Sequence, residues 1–185
     1  MIRAYNRLVS GEIDSFCVLL SGEVLEPDEY DTSKLTTAII PGSFNPLHEG
    51  HKIIAESTKA MWNFFELSVN RDGKEFLGVD EVWRRVEQFK DYCPVFVTNS
   101  PRFLQKAGIF RSIKKLEFHI GDDTLERLIE NETVLGVQGI KAKFVVYSRI
   151  GYIPYDIPDN VRWAIPWRPF PKGISSTAIR EGSYG

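Results

Sequence analysis

An α/β fold with a mostly parallel sheet and helices on both faces is predicted by three observations. Apolar runs of strand length recur along the chain and alternate with segments of helical apolar spacing, the pattern of strands joined by crossover helices. One of these runs, Ala38–Ile40, reads as a buried strand that breaks at Pro41-Gly42 and resumes as a helix from about Glu49. The 185-residue length suits one domain with a substantial core, and there is no internal repeat.

Taken in order, Met1–Gly11 is compatible with a short helix and Ser15–Leu20 with a short strand. Glu26–Asp31 is a polar, turn-rich connector. Residues 1–35 are too few for a core of their own, so they are expected to dock on the main domain, residues 36–185. Beyond the helix from Glu49, Phe64–Val69 is a second strand. Val79–Tyr92 sets Val79, Val82, Trp83, Val86 and Phe89 at amphipathic spacing, which favours the core for Trp83. Pro94–Thr98 is a third strand, and Pro101–Ala107 a short helix with Ser100 as its N-cap. Leu116–Ile120 is a fourth strand closed by Gly121, with Asp122–Thr124 capping a helix over Leu125–Asn131. Ala142–Tyr147 and Val161–Ile165 complete the strands, separated by a proline-bearing loop at Gly151–Asn160; a second such loop spans Pro166–Lys172. The expectation is one Rossmann-like domain, whose ligands bind beyond the carboxyl ends of the strands where strand order reverses. The loops Pro41–His51, Thr98–Ser100 and Gly121–Asp123 all follow strands and are expected to share that rim.

A net charge of −2 argues against a general nucleic-acid or anionic-membrane binder. Two cysteines make no disulfide framework, and the N-terminus lacks the apolar core and cleavage site of a signal peptide. No apolar run approaches membrane-spanning length, so the cytoplasm is the default expectation. A homo-oligomer is compatible with all of this.

The chemistry concentrates at His48-Glu49-Gly50-His51. Two imidazoles three residues apart at a helix start lie on one face of its first turn, and Gly50 leaves room for a close approach. Unpaired amides of the helix N-terminus point into the same loop, the usual frame of a phosphate site. A metal pair is the alternative, but third and fourth zinc ligands are missing. His119 is the other histidine, and Cys17 and Cys93 stand apart from each other. No protein-held metal is therefore expected.

The string Pro41-Gly42-Ser43-Phe44-Asn45-Pro46-Leu47-His48-Glu49-Gly50-His51 resembles the first signature of the nucleotidylyltransferase superfamily. Ile174-Ser175-Ser176-Thr177-Ala178-Ile179-Arg180 is similar to that family's second signature, and the two stand in the family's order. Alone, Ser-Ser-Thr is only a good helix start. The resemblance covers Thr36–Gly185 and extends to nicotinamide mononucleotide adenylyltransferases, pantetheine phosphate adenylyltransferases and cytidylyltransferases. It implies that His48 and His51 contact the triphosphate and stabilise the transition state, with Arg180 adding a charge-assisted contact. It further implies that Gly42, Ser43, Phe44 and Gly50 form the nucleotide cradle. Ser175, Ser176 and Thr177 would hold the β- and γ-phosphates, and Mg2+ would ride on the phosphates.

For the acceptor, Phe118–Thr124 is similar to the Gly-x-Asp segment of nicotinamide mononucleotide adenylyltransferases, which carries Gly121 and Asp123 over as acceptor-binding residues. Asp122 is left as a helix cap or a solvated charge. Asn99 and Lys74 are further acceptor candidates, each balanced against a turn residue and a solvated lysine. The resemblance implies ATP and nicotinamide or nicotinate mononucleotide as the substrate pair. Ring stacking on a nicotinamide is the second reading for Trp83. Pantetheine phosphate, or a phosphorylated polyol with CTP, stands as the alternative, as does a nucleotide-binding module without turnover. The chain lacks the proline-rich, His-Lys segment of the usual nicotinamide enzymes and has Asn70–Lys74 there instead.

Overall fold

The computed structural model describes residues 1–27, 36–70, 75–148, 151 and 153–184. Among these residues eight strands form one sheet: β1 (Ser15–Val18), β2 (Val24–Leu25), β3 (Thr36–Pro41), β4 (Trp62–Ser68), β5 (Val95–Thr98), β6 (Lys115–Gly121), β7 (Lys143–Tyr147) and β8 (Val161–Ala164). Their order is β2-β1-β5-β4-β3-β6-β7-β8, and every pair from β5 to β8 is parallel. The chain runs outward from β3 through β4 to β5, then returns to the other side of β3 for β6, β7 and β8. Strand order therefore reverses between β3 and β6, and the crevice beyond their carboxyl ends is the place for a ligand.

Among the described residues six α-helices, α1 (Ile2–Val9), α2 (Glu49–Ser57), α3 (Val79–Val86), α4 (Phe103–Ile109), α5 (Asp122–Gln138) and α6 (Ser176–Arg180), accompany the sheet. Consecutive strand residues point to opposite faces, so each strand feeds two cores. Ile40, Phe65, Val97 and Val145 pack with Leu8, Ile54, Val82 and Val86, beneath α1, α2 and α3. Ile39, Phe64, Phe96, Phe118 and Phe144 pack with Ala107, Leu125 and Leu128, beneath α4 and α5. Burial on both faces explains why these strands read as unbroken apolar runs.

Residues 1–27 join the same architecture. β1 pairs antiparallel with β5, from Ser15↔Thr98 to Val18↔Val95, and so covers what would be the free edge of the parallel sheet. The Tyr5 hydroxyl donates to the Leu77 carbonyl at 2.6 Å, tying α1 to the segment before α3.

Several elements differ from the sequence reading. α4 begins at Phe103 with Arg102 as its N-cap, not at Pro101 behind Ser100. The preference of serine for caps is overridden because Ser100 is buried against Thr98, whose hydroxyl oxygen accepts from the Ser100 amide at 3.4 Å. α5 runs from Asp122 to Gln138 with a kink at Thr133 (φ 64°), well past Asn131. The helix expected over Val79–Tyr92 ends at Val86 and tightens into a 3-10 turn at Glu87–Phe89. Trp83 is 38% exposed rather than in the core, while Arg85 beside it is buried. The inward face of α3 is thus turned towards Val82, Arg85 and Val86, which a hydropathy pattern could not show for an arginine.

Candidate active site

The loop that follows β3 lies at the point of strand reversal. Its start is fixed by the Gly42 amide, which donates to the Glu66 carbonyl of β4 at 3.0 Å. A Cβ on Gly42 would stand 2.6 Å from the Phe44 ring, so the turn requires glycine. Phe44 has a left-handed backbone (φ 46°) and a wholly buried ring, packed edge-on against His51, Phe65 and Phe89. Its side chain anchors the loop, which leaves only its backbone to face a ligand.

Four consecutive carbonyls of this loop are each held by a side chain. Arg85 Nη1 donates to Ser43 O at 2.8 Å and Gln88 Nε2 to Phe44 O at 2.8 Å. Arg180 Nη1 donates to Asn45 O, and Ser176 Oγ to Pro46 O at 2.8 Å. One donor lies in α3, one in the turn that follows it and two in α6, so the loop is bracketed from both sides. This is how the two sequence signatures meet. Arg180 also donates to Thr177 Oγ1 at 3.1 Å, and Ser175 caps α6 by accepting from the Ala178 amide at 3.0 Å.

The loop delivers its histidines at the first turn of α2. His48 is the N-cap, 6% exposed, and its ring stacks on His51 with centroids 3.8 Å apart. The His48 amide donates to His51 Nδ1 at 3.3 Å. A ring nitrogen that accepts from an amide is unprotonated, so neutral His51 carries its proton on Nε2. Gly50 serves closeness of a different kind from the expected one. A Cβ there would lie 3.1 Å from the His48 ring and 3.3 Å from Ile174 Cγ2, so its clearance is used by the chain's own side chains. Gly50→Ala should therefore shift the His48 ring by a few tenths of an ångström and cut turnover by about tenfold, with little change in melting temperature. Turnover equal to wild type would show that the clearance is not needed.

Across the crevice, the β3–β6 pairing ends at Ile39↔Phe118, three residues before Gly42 on one strand and Gly121 on the other. Asp122, read as a cap or a solvated charge, is fully buried. It accepts from the Gly151 amide at 2.7 Å and from Ser148 Oγ at 3.2 Å, which fastens the segment after β7. Gly121 itself is the N-cap of α5. Asp123 sits in the first turn and meets Arg127 Nη2 at 3.2 Å. Asn99 lies on the same rim but faces the N-terminal segment. Its Nδ2 donates to Leu8 O at 3.3 Å and its amide to Asp14 O at 3.2 Å. Lys74 lies outside the described residues.

His119 is packed and hydrogen-bonded, with Nδ1 3.0 Å from the Tyr147 hydroxyl and Nε2 3.2 Å from Glu117. Burial holds its pKa below the ordinary histidine value against the pull of Glu117. Burial also pushes the Tyr147 hydroxyl up to about 12.

Sequence reasoning missed Glu81, Arg85 and Gln88, which support the loop from α3 and the turn after it. Their i, i+4 and i, i+3 spacing was visible, but the face they share with the loop was not. Among the described residues no group of three or more His, Cys, Asp or Glu side chains is placed to hold a metal ion. No described helix is long and apolar enough to cross a membrane.

A doubly wound sheet with a tied-down loop and paired histidines at its point of reversal defines a nucleotide-binding α/β protein. The chain belongs to the cytidylyltransferase-like family, whose family model matches residues 39–182. At the level of reaction class it is a nucleotidylyltransferase. No curated protein matches the chain.

Proposed function

We propose that the chain transfers the nucleotidyl group of ATP to nicotinamide or nicotinate mononucleotide, releasing pyrophosphate. The observation that carries this reading is the stacked His48–His51 pair beside a loop bracketed by α3 and α6. A phosphate acceptor is already an anion, so no strong general base is needed. One acceptor oxygen attacks the α-phosphorus; a new P–O bond forms as the bond to the β-phosphate oxygen breaks. The requirement is in-line positioning and stabilisation of charge on the α-phosphate and the leaving group. His48 and His51 would meet the developing charge as hydrogen-bond donors. The loop amides near Ser43 and Phe44 would cradle the α-phosphate. Ser175, Ser176 and Thr177 would take the β- and γ-phosphates, and Arg180 would exchange Asn45 O for phosphate oxygen. Magnesium would arrive on the nucleotide, as part of the substrate. Gly121 and Asp123 would face the acceptor, with Asn99 and Lys74 as further candidates.

A second reading, CTP with a phosphorylated polyol, is favoured by the cytidylyltransferase-like character of the family. Pyrophosphate release distinguishes the two. ATP and CTP are offered with magnesium against nicotinamide mononucleotide, nicotinate mononucleotide, pantetheine phosphate and glycerol phosphate. Release with ATP and a pyridine mononucleotide alone is the expected result. Release with CTP and glycerol phosphate would keep the chemistry and replace the substrates. Nucleotide binding without release across the panel would favour a module that does not turn over.

A further inference from the structure

We infer that Arg85 and Gln88 are positioning residues that aim the backbone amides of the Gly42–Leu47 loop at the nucleotide phosphate, an inference that rests on the nucleotidyl-transfer reading above. In a trans peptide the carbonyl and the following N–H point in opposite directions. Arg85 draws the Ser43 carbonyl, and Gln88 the Phe44 carbonyl, towards the α3 side. The amides of Phe44 and Asn45 are thereby turned away from α3, and neither makes a hydrogen bond to the described residues. Two adjacent amides pointing outward from one turn form an anion-binding concavity.

Gln88 grips the loop twice, because its Oε1 also accepts from the Leu47 amide at 2.8 Å. Arg85 is 6% exposed, and its guanidinium is taken up by Glu81 at 2.6 Å and by Ser43 O. It is therefore spent on the loop rather than offered to a ligand. Arg84, exposed on the same helix, reaches Asn45 Oδ1 at 2.6 Å. The left-handed backbone of Phe44 is a conformation a non-glycine residue holds only when its surroundings enforce it. The grip on its carbonyl and the packing of its ring supply that enforcement.

The test uses Gln88→Ala and Gln88→Glu, the second of which keeps an acceptor for Leu47 but loses the donor to Phe44. Titration calorimetry with MgATP, MgCTP and adenosine is run beside hydrogen exchange over residues 42–48 and a melting curve. Expected is a loss of triphosphate affinity of tenfold or more in both variants, with adenosine binding unchanged and faster exchange at Leu47 in the alanine variant only. A purely structural role would lower the melting temperature and weaken adenosine and triphosphate alike, which overturns the inference. Unchanged triphosphate affinity in both variants overturns it as well. Wild-type protein that binds neither triphosphate would sink the nucleotidyl-transfer reading itself, and the inference with it. Arg85→Lys, which keeps the charge but not the fork shared between Glu81 and Ser43, should reproduce the triphosphate loss.

Discussion

His51→Ala is expected to lower turnover by about 10²–10³-fold, the usual loss when one preorganised donor to a developing oxyanion is removed. Nucleotide affinity should change far less, because the loop and α6 contacts proposed to hold the phosphates in the ground state remain. The geometry behind this is specific. Accepting the His48 amide on Nδ1 leaves Nε2–H as the donor, and the edge-on contact with Phe44 at 4.9 Å keeps the ring from rotating. His51→Asn, which retains an N–H of shorter reach, should recover part of the loss. The measurement is steady-state pyrophosphate release alongside calorimetric binding of the triphosphate. Small and equal losses in turnover and in affinity would contradict a transition-state role.

The largest effect on stability is expected from Lys106→Met. Glu66 is wholly buried and the Lys106 side chain is 5% exposed. The ammonium lies 2.6 and 2.7 Å from the two carboxylate oxygens, and Thr98 donates to Oε1 at 2.6 Å. Removing the lysine leaves a buried carboxylate with a single hydroxyl donor. Breaking one side of such a pair costs about 3–5 kcal/mol. The double variant Glu66→Leu/Lys106→Met removes both charges and should recover most of that, since a buried pair rarely outweighs an apolar replacement. Denaturant unfolding of the single and double variants checks this. A double variant no more stable than the single one would mean that packing volume, not the stranded charge, sets the loss. Because the Glu66 backbone also holds Gly42, Lys106→Met should loosen the loop that Gly42 opens.

Much of this architecture was legible before any coordinates. The β3–α2 segment, the parallel strands and the two proline loops could be read because each depends on local spacing or on residues that stop regular structure. The strings that resemble the family's signatures were legible for the same reason, being contiguous. What escaped was everything decided by partners distant in sequence. Nothing in the spacing around Lys106 points to a buried partner, which appears only when β4 places Glu66 beneath it. Asp122 reads as a cap until Ser148 and Gly151 arrive as its donors. Trp83 leaves the core and Arg85 enters it because the loop, not the hydropathy pattern, claims the inner face of α3. Asn99, an acceptor candidate by position, also donates its Nδ2 to the N-terminal helix that β1 brings alongside, a contact that only the fold reveals.

The bracketed loop also sets an order of assembly. Its grips from the α3 side span 42 and 44 residues, whereas those from α6 span 130 and 135. Closing a loop about three times longer adds only about 1 kcal/mol of chain entropy, so the penalty is modest. The delay is not: a chain emerging from the ribosome at about 5–20 residues per second reaches its α6 contacts several seconds after its α3 contacts become possible. During that interval the sheet and its first core can form around a cradle that lacks one wall. On the proposed reading, competence to handle a nucleotide is a late event in the life of each molecule, withheld until the rest of the fold is in place to receive it.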